Sequence, residues 1–305
     1  MKFEIKEIDW NDSAVVNNIS TLLNTSFNTY KNPMFDPQFL LWKHRDNPFG
    51  TSISLLAYDE DGNILGLRTF LKWQFINNEK SLCAYQPVDT ATTPAARGKG
   101  VFSELTRVAL NIAGDSIIYN TPNANSLPGY LKMGWNHTGD IKFGVIPRVV
   151  PCYKRCNNIF DFDEKSIELL VGMKKEHLSD NKLTTRKSYD FLKWRFLDIP
   201  HINYRIFWLS DECYCVYHIK VRNTFRELTV CELSMSKKES IGYFSFHSQI
   251  QALLNYEKCS YAVIGFKDIA TDLQKKFFRL PLKHMKFLTK SSYDFNLTLT
   301  EVEIF

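Results

Sequence analysis

A short turn with two glycines, at residues 97–100, has the composition of a phosphate-binding loop. It reads Arg97-Gly98-Lys99-Gly100 and lies between an extended run, Leu82–Thr92, and a helical run, Val101–Ala113. Glycines let backbone N–H groups converge without interference from a Cβ, and the N-terminus of a helix adds partial positive charge. The turn is therefore suited to a pyrophosphate, with Arg97 and Lys99 as further phosphate contacts.

Two phosphate-binding motifs are excluded here, whereas an ordinary structural role is not. A P-loop needs a Gly-Lys-Ser/Thr triplet, which the turn lacks. The dinucleotide fingerprint needs three glycines, and here only two follow a long meander of strands. Standing alone, such a turn is also a common entry to a helix, and Arg97 and Lys99 are also typical solvated side chains.

A second motif follows at a compatible spacing, at Asn123–Trp135, with the sequence NANSLPGYLKMGW. Together with residues 97–101 it resembles the two hallmark segments of the GCN5-related N-acetyltransferase (GNAT) superfamily, and the resemblance covers residues 36–140. Phe102 departs from the loop pattern, which has Gly or Ala at that position.

The resemblance implies an acyl-CoA site whose thioester lies in a splay between two parallel strands, Pro87–Thr92 and Ser116–Thr121. Backbone amides near Ala91 and Thr93 would bind the pantetheine and polarise the thioester carbonyl. By the same resemblance the donor-binding residues are Ala91, Thr92, Thr93, Arg97, Gly98, Lys99, Gly100, Val101, Phe102, Asn123 and Ser126.

Tyr130 and Asp89 are the catalytic residues that the resemblance implies. Tyr130 matches the position that protonates the departing CoA thiolate, although a tyrosine there can also simply cap a core. Asp89 precedes the loop on its strand and is the candidate general base, with His137 as the runner-up. Asn123 and Asn125 are either ligands or turn formers. No metal is expected.

The second half of the chain repeats the first. The pattern F-L-x-W-[KR]-x-x-D-x-P occurs at residues 39–48 and again at 191–200, so that Trp42 and Trp194 are 194 − 42 = 152 residues apart. The order of the following elements also corresponds, which indicates a duplication. The second copy has one glycine in the segment 236–242, where the first has its glycine-rich turn, so the second copy is expected to be degenerate.

We therefore predict an α/β fold of tandem GNAT-like domains, each a mixed central sheet flanked by helices. The predicted boundaries are an acyl-CoA-binding domain at 1–150, a linker at 151–164 and a degenerate domain at 165–305. Lys43, Arg45 and Asn125 are candidate substrate ligands. However, Trp194 and Arg195 recur in the degenerate copy, which favours a structural role for Trp42 and its basic neighbour.

Composition argues against several classes of protein, namely nucleic-acid-binding, membrane-inserted, zinc-binding and disulfide-linked proteins. The net charge of +5 is too small and too diffuse for nucleic-acid binding. No signal peptide and no apolar run of membrane-spanning length occur, so a cytoplasmic protein without membrane insertion is expected. The seven cysteines are odd in number and spread out, which favours free thiols over zinc ligands or disulfides.

Residues 36–48, 97–102 and 122–135 also resemble tandem-domain N-acyltransferases that act on nucleotide-linked amino sugars. The function that this resemblance implies is transfer of an acyl group from acyl-CoA to a primary amine of such a sugar (dTDP-amino-dideoxy-hexose type), by direct attack in a ternary complex. The donor is acetyl-CoA or a longer thioester such as 3-hydroxybutanoyl-CoA, and the protein is a monomer or homodimer. Alternatives are another small amine, an aminoglycoside or a peptide as acceptor, and a non-enzymatic acyl-CoA-binding regulatory module.

Overall fold

The computed structural model describes residues 2–77, 80–149, 156–173, 182–235, 241–267 and 278–302. In the first half the strands are β1 (Glu4–Glu7), β2 (Ile53–Tyr58), β3 (Ile64–Asn77), β4 (Lys80–Thr92), β5 (Ile117–Asn120) and β6 (Asn136–Pro147). The first-half helices are α1 (Ser13–Ser26), α2 (Pro37–His44), α3 (Val101–Ala113) and α4 (Leu127–Lys132).

The second half repeats much of this order of strands and helices. Its strands are β7 (Ile159–Asp161), β8 (Thr184–Thr185), β9 (Arg205–Ser210), β10 (Cys213–Arg222), β11 (Phe225–Met235), β12 (Tyr261–Lys267), β13 (Phe278–Thr289) and β14 (Leu297–Thr298). Its helices are α5 (Glu164–Gly172), α6 (Tyr189–Leu192), α7 (Tyr243–Tyr256) and α8 (Leu299–Val302).

Local sequence signals account for the ends of several elements. The Asp12 side chain accepts hydrogen bonds from Ala14 N and Val15 N, so it caps α1. The Asp59 carboxylate accepts from Asp61 N and Asn63 N, and Gly62 has a φ of 82°, which forms the turn between β2 and β3. The helix α2 was not predicted as such, although Asp36 caps it in the usual way.

The strands form one 14-stranded mixed sheet that runs through both halves, in the order β1-β2-β3-β4-β5-β13-β6-β12-β11-β10-β9-β7, with β8 and β14 off this path. β13 from the second half pairs with β5, and β6 from the first half pairs with β12. The two halves therefore exchange a strand. This confirms the predicted tandem α/β architecture and adds an exchange that was not predicted.

The two tryptophans of the repeated pattern meet between the halves. Trp42 Nε1 donates to Trp194 O and Trp194 Nε1 donates to Trp42 O, each at 2.8 Å, and the rings stack with centroids 4.7 Å apart. The contact is reciprocal, as in a two-fold symmetric pair. Both side chains are buried in the central core, so Trp42 is a structural residue, which agrees with the inference from its recurrence.

The predicted domain boundaries stay a prediction, with one difference to report. β7 lies at residues 159–161, within the range predicted as the linker, and pairs with β9 as β1 pairs with β2. The second half therefore begins before residue 165. Residues 236–240 of the degenerate turn, like 150–155 of the linker, lie outside the described residues.

Candidate functional site

The turn before α3 has the backbone geometry of an anion site. Gly98 and Gly100 have φ values of 73° and 83°, which L-residues with a side chain rarely adopt. Gly100 is the N-cap of α3 and offers no side-chain cap, so no side chain satisfies the first N–H groups of the helix. Arg97 and Lys99 are exposed beside them. These groups together can bind a phosphate or pyrophosphate.

Val101 holds the loop against the sheet. It is 1% exposed, and a Cβ built on Gly66 of β3 would lie 3.0 Å from Val101 Cγ1. Gly66 therefore lets the first turn of α3 approach the sheet closely. Val101 was predicted as a donor-binding residue, and only its backbone faces the loop, since its side chain is part of the core.

β4 and β5 form the predicted splay. Within the described residues they pair in parallel only at Ala84–Ile117 and Tyr85–Ile118, and beyond these pairs no described strand pairs between them. In β4 a bulge places Asp89 and Thr90 opposite Arg68 of β3, and Asp89 has a φ of 42°. The bulge bends β4 at the point where the strands separate.

The amide that faces the splay differs from the one predicted. Thr93 N donates to Leu65 O at 2.9 Å, so this N–H belongs to the contact with β3. Because neighbouring residues of a strand direct their N–H groups to opposite sides, the Thr92 amide is directed toward β5. Ala91 is 4% exposed and Thr92 is half-buried at this edge.

Four side chains meet on the face of the sheet that α3 and α4 cover. Phe102 and Tyr130 pack edge to face with centroids 6.0 Å apart, and the guanidinium carbon of Arg68 lies 5.0 Å from the Phe102 centroid and 5.2 Å from the Tyr130 centroid. Trp135 packs on Tyr130 from the other side at 4.9 Å. Sequence reasoning missed Arg68, although a lone arginine in the apolar run of β3 was a signal.

Asn123 and Ser126 shape the turn before α4. Asn123 Oδ1 accepts hydrogen bonds from Asn125 N, Ser126 N and Ser126 Oγ at 3.0–3.1 Å. The Asn123 oxygen and the Ser126 hydroxyl are therefore used within the turn, and the Asn125 side chain is exposed beside them. Their roles as ligands of the donor or the acceptor stay predictions.

Asp89 lies on the opposite face of the sheet, in a buried network with α2. Its Oδ2 is 2.6 Å from Lys43 Nζ and 2.9 Å from His44 Nε2. His44 Nδ1 is 2.9 Å from Ser52 Oγ, and its ring stacks on Trp10 with centroids 4.7 Å apart. This network ties α2 to the bulge of β4.

Burial and charge set the protonation of this network. Burial alone would raise the pKa of Asp89, but Lys43 and His44 hold it well below its ordinary value of 3.8. Burial lowers the pKa of Lys43 from 10.5 to about 8, and it lowers the pKa of His44, in both cases against the attraction of Asp89. Asp89 is therefore a weak proton acceptor at neutral pH, and Lys43 is bound to a protein carboxylate.

Arg45 and His137 form their ion pairs with residues outside this network and lie at the surface, although Arg45 directly follows His44 in the chain. Arg45 Nε donates to Asp46 Oδ1 at 2.7 Å, and both residues line a cavity of about 480 Å³ above the Trp42–Trp194 stack. His137 Nε2 is 2.7 Å from Asp140 Oδ1 and the side chain is 41% exposed. Neither is gathered with Asp89, Tyr130 or the glycine turn.

In the second half, the chain itself occupies the corresponding place between strands. β11 also has a bulge, at Cys231, but it pairs with β12 over four residues. Where β11 leaves β12, β14 pairs with Phe266 and Lys267, and Thr300 of α8 donates to Cys231 O at 3.0 Å. Arg195, the counterpart of Lys43, donates to Thr300 O at 3.0 Å. The described part of this half has no open splay.

Comparison with known proteins identifies the fold of this chain but does not identify its substrate. No protein-family model and no curated protein matches the sequence. A probable N-acyltransferase of Enterococcus faecalis V583 has a TM-score of 0.63 at 15% identity, with 95% of this chain and 72% of that chain covered. A GCN5-related N-acetyltransferase from Anabaena variabilis has a TM-score of 0.63 at 12% identity over 94% and 72%.

A third solved structure with a similar fold belongs to another kind of N-acyltransferase. The N-myristoyltransferase of Saccharomyces cerevisiae with bound myristoyl-CoA has a TM-score of 0.61 at 9% identity, and 94% of this chain and 82% of that chain are covered. These similarities show that the chain has the fold of the GCN5-related N-acetyltransferases.

Three further observations bear on the predicted class. Within the ranges described, no group of three or more His, Cys, Asp or Glu side chains is placed to hold a metal ion. None of the helices in those ranges is long and apolar enough to cross a bilayer. Six of the cysteines lie in the described ranges, and these six are free thiols.

Proposed function

We propose that the protein is an acyl-CoA-dependent N-acyltransferase whose donor binds in the first half, between β4, β5 and the N-terminus of α3. The observation that carries the proposal is the open splay beside an uncapped, glycine-rich helix N-terminus, in a fold shared with N-acetyl- and N-myristoyltransferases. The yeast N-myristoyltransferase holds an acyl-CoA, which supports a CoA thioester as the donor.

The reaction is direct transfer in a ternary complex. The amine nitrogen attacks the thioester carbonyl, a C–N bond forms, the C–S bond breaks, and CoA leaves as a thiolate that takes a proton from Tyr130. The Thr92 amide, directed into the splay, stabilises the negative charge that develops on the carbonyl oxygen. No cysteine lies in residues 84–135 to carry the acyl group.

The proton of the attacking amine passes to the network of Lys43, Asp89 and His44, or to water beside it. Asp89 is the base expected from the sequence, and its low pKa makes it a poor acceptor by itself. Burial lowers the pKa of Lys43 to about 8, so a minor fraction of Lys43 is neutral at neutral pH, and this neutral amine accepts the proton. The proton then leaves to water.

The acceptor that we propose is the amino group of a nucleotide-linked amino sugar. The support is the resemblance of the segment 36–48, the loop at 97–102 and residues 122–135 to tandem-domain sugar N-acyltransferases, together with a small positive net charge that suits diphosphates. Aminoglycosides and peptides are the alternative acceptors. Monomeric or dimeric state and cytoplasmic location stay predictions.

The test is release of free CoA thiol from acetyl-CoA with a panel of amines: nucleotide-linked amino sugars, aminoglycosides and N-terminal peptides. Tyr130→Phe is expected to lower kcat by about 10²–10⁴ with little change in KM for the donor, because a general acid is lost. Tyr256→Phe removes an exposed hydroxyl in α7 and is expected to behave as the wild type.

The outcomes separate the hypotheses. Acyl-CoA binding without thiol release from any amine would favour a regulatory module. Release of CoA thiol with aminoglycosides or peptides, and none with nucleotide-linked amino sugars, would overturn the proposed acceptor. Absence of any CoA binding would overturn the donor site itself.

A further inference from the structure

One arginine of the described chain is buried with part of its guanidinium unpaired. Arg68 of β3 is 0% exposed, and its Nη1 donates to Thr90 Oγ1 at 2.5 Å. Its Nε and Nη2 are buried and have no hydrogen-bond partner. Because a buried cation without a partner anion is costly, a second binding partner for this group is expected.

The two unpaired nitrogens form one edge of the guanidinium. Nε–H and Nη2–H point in the same direction, which is the geometry that grips both oxygens of a carboxylate. Three other arginines of this chain bind a carboxylate through this same edge, namely Arg45 with Asp46, Arg107 with Glu104 and Arg222 with Glu227. Among the described residues, no carboxylate fills that role for Arg68.

The surroundings of Arg68 place this edge on the donor side of the sheet. The guanidinium carbon lies 5.0–5.2 Å from the rings of Phe70, Phe102 and Tyr130. Phe102 belongs to the first turn of α3 and Tyr130 to α4, whereas Asp89 and Lys43 lie on the opposite face. Thr90, which Arg68 contacts, belongs to the bulge at the splay.

Phe102 is the residue that departs from the pattern of the loop. Its ring covers the Arg68 guanidinium, and a Cβ built on Gly129 of α4 would lie 3.3 Å from Phe102 Cε1. The aromatic ring of Phe102 stabilises the Arg68 guanidinium by a cation–π interaction, which Gly or Ala at position 102 could not make. The unusual loop residue and the buried arginine therefore form one unit.

We propose that the Nε/Nη2 edge of Arg68 binds a carboxylate at the end of the donor's acyl chain, so that the preferred donor is the CoA thioester of a short dicarboxylic acid. This rests on the proposed function, which places the thioester at the bulge and the CoA phosphates at the turn before α3. The CoA phosphates are assigned to the turn before α3, whereas Thr90, which Arg68 contacts, belongs to the bulge beside the splay, so the acyl end is the anion that we assign to Arg68. The product is an amide that carries a free carboxylate.

Of the three rings around the guanidinium, Phe102 is partly exposed, whereas Phe70 and Tyr130 are buried. In this proposal the acyl carboxylate reaches the Nε/Nη2 edge past the Phe102 ring. Acetyl- and butanoyl-CoA leave the charge unpaired, because a methyl group can accept no hydrogen bond.

The test compares two donors of equal length, succinyl-CoA and butanoyl-CoA, which differ by a carboxylate in place of a methyl group. Isothermal titration calorimetry on the full chain is expected to give at least about tenfold tighter binding of succinyl-CoA, as one charged hydrogen-bonded pair provides. Arg68→Met is expected to abolish the preference and to leave the affinity for free CoA within about twofold, since the CoA contacts are elsewhere. Arg107→Met removes an exposed arginine of α3 and is expected to keep the preference.

The outcomes are distinguishable. Equal affinity of the wild type for the two thioesters would overturn this inference and leave the donor site standing, and it would mean that only water satisfies Arg68. Failure to bind any CoA species would overturn the proposed function as well. If Arg68→Met does not fold, the wild-type comparison of the two donors still decides.

Discussion

The two halves share a sheet, a bulge and a tryptophan motif, and they differ in what lies between the strands. In the first half β4 and β5 pair at two positions and then diverge beside the glycine turn. In the second half β11 and β12 pair at four positions, after which β14 and α8 take the place beside β12. Among the described residues, the splay of the first half is therefore open, whereas β14 and α8 occupy the corresponding place in the second half.

The basic residue after each tryptophan shows how the halves diverged. Lys43 binds the bulge residue Asp89 directly, with its charge neutralised by a side chain of β4. Arg195 binds Thr300 O, and Thr300 in turn binds the bulge residue Cys231 through its carbonyl. The basic residue after the tryptophan therefore forms an ion pair with a carboxylate in the first half and a hydrogen bond to a main-chain carbonyl in the second half.

The largest effect is expected where the halves are equivalent. Trp42→Ala and Trp194→Ala each remove a buried indole and leave a carbonyl of the other half unpaired, so each is expected to lower the free energy of unfolding by about 3–5 kcal/mol. Urea denaturation measures this, with Trp208→Ala as a milder control because Trp208 is only partly buried. A near-zero cost for one tryptophan and a large cost for the other would break the proposed equivalence.

The next effect separates the halves. Asp89→Asn removes the carboxylate that binds the buried Lys43 and His44, and we expect a loss of about 3 kcal/mol at pH 7. Asp46→Asn, which removes the anion of an exposed pair, is expected to leave the stability nearly unchanged. Equal stability of the two variants would mean that the network contributes nothing.

The same network makes the first half sensitive to acid. Because the folded-state pKa of Asp89 lies below its ordinary value of 3.8, its contribution is complete above about pH 4 and is lost as the pH falls through the folded-state pKa. The difference in unfolding free energy between the wild type and Asp89→Asn is therefore expected to shrink below pH 4. A constant difference from pH 7 to pH 3 would contradict the lowered pKa.

A smaller effect is expected at the two glycines that precede α3 and α7. Gly100 has a φ of 83°, so Gly100→Ala is expected to cost about 1–2 kcal/mol through backbone strain. Gly242 caps α7 with a φ of −57°, so Gly242→Ala is expected to be nearly neutral. Equal melting temperatures of the two variants would show that the left-handed turn is not specific to the first half.

Local signals in the sequence predicted much of the donor side. Residues 97–100 form a glycine turn before α3, and the duplicated tryptophans lie at equivalent positions of the two halves, as the sequence pattern indicates. These features depend on short spacings and on glycine conformation, which are encoded locally. The exchange of β6 and β13 depends on pairing between strands more than 130 residues apart, which no local pattern specifies.

The contacts between side chains were also not predicted from the sequence. Asp89 was predicted as the candidate general base, and its partners Lys43 and His44 were not predicted, because the helix α2 brings these two basic residues to the bulge. Arg68 was missed because it lies in an apolar strand, and its burial depends on rings from α3 and α4 that are distant in sequence. Position along a strand predicts a face of the sheet, but it does not predict the partner on that face.

The central claim is that one half binds the donor and the other half does not. Native mass spectrometry of the full chain with acetyl-CoA tests it most directly, using Gly100→Glu and Gly242→Glu as a matched pair that adds a carboxylate before α3 or before α7. We expect one CoA per chain in the wild type and in Gly242→Glu, and none in Gly100→Glu, since like charges repel at the anion site. Two CoA molecules per chain, or binding that survives Gly100→Glu and is lost in Gly242→Glu, would contradict the account.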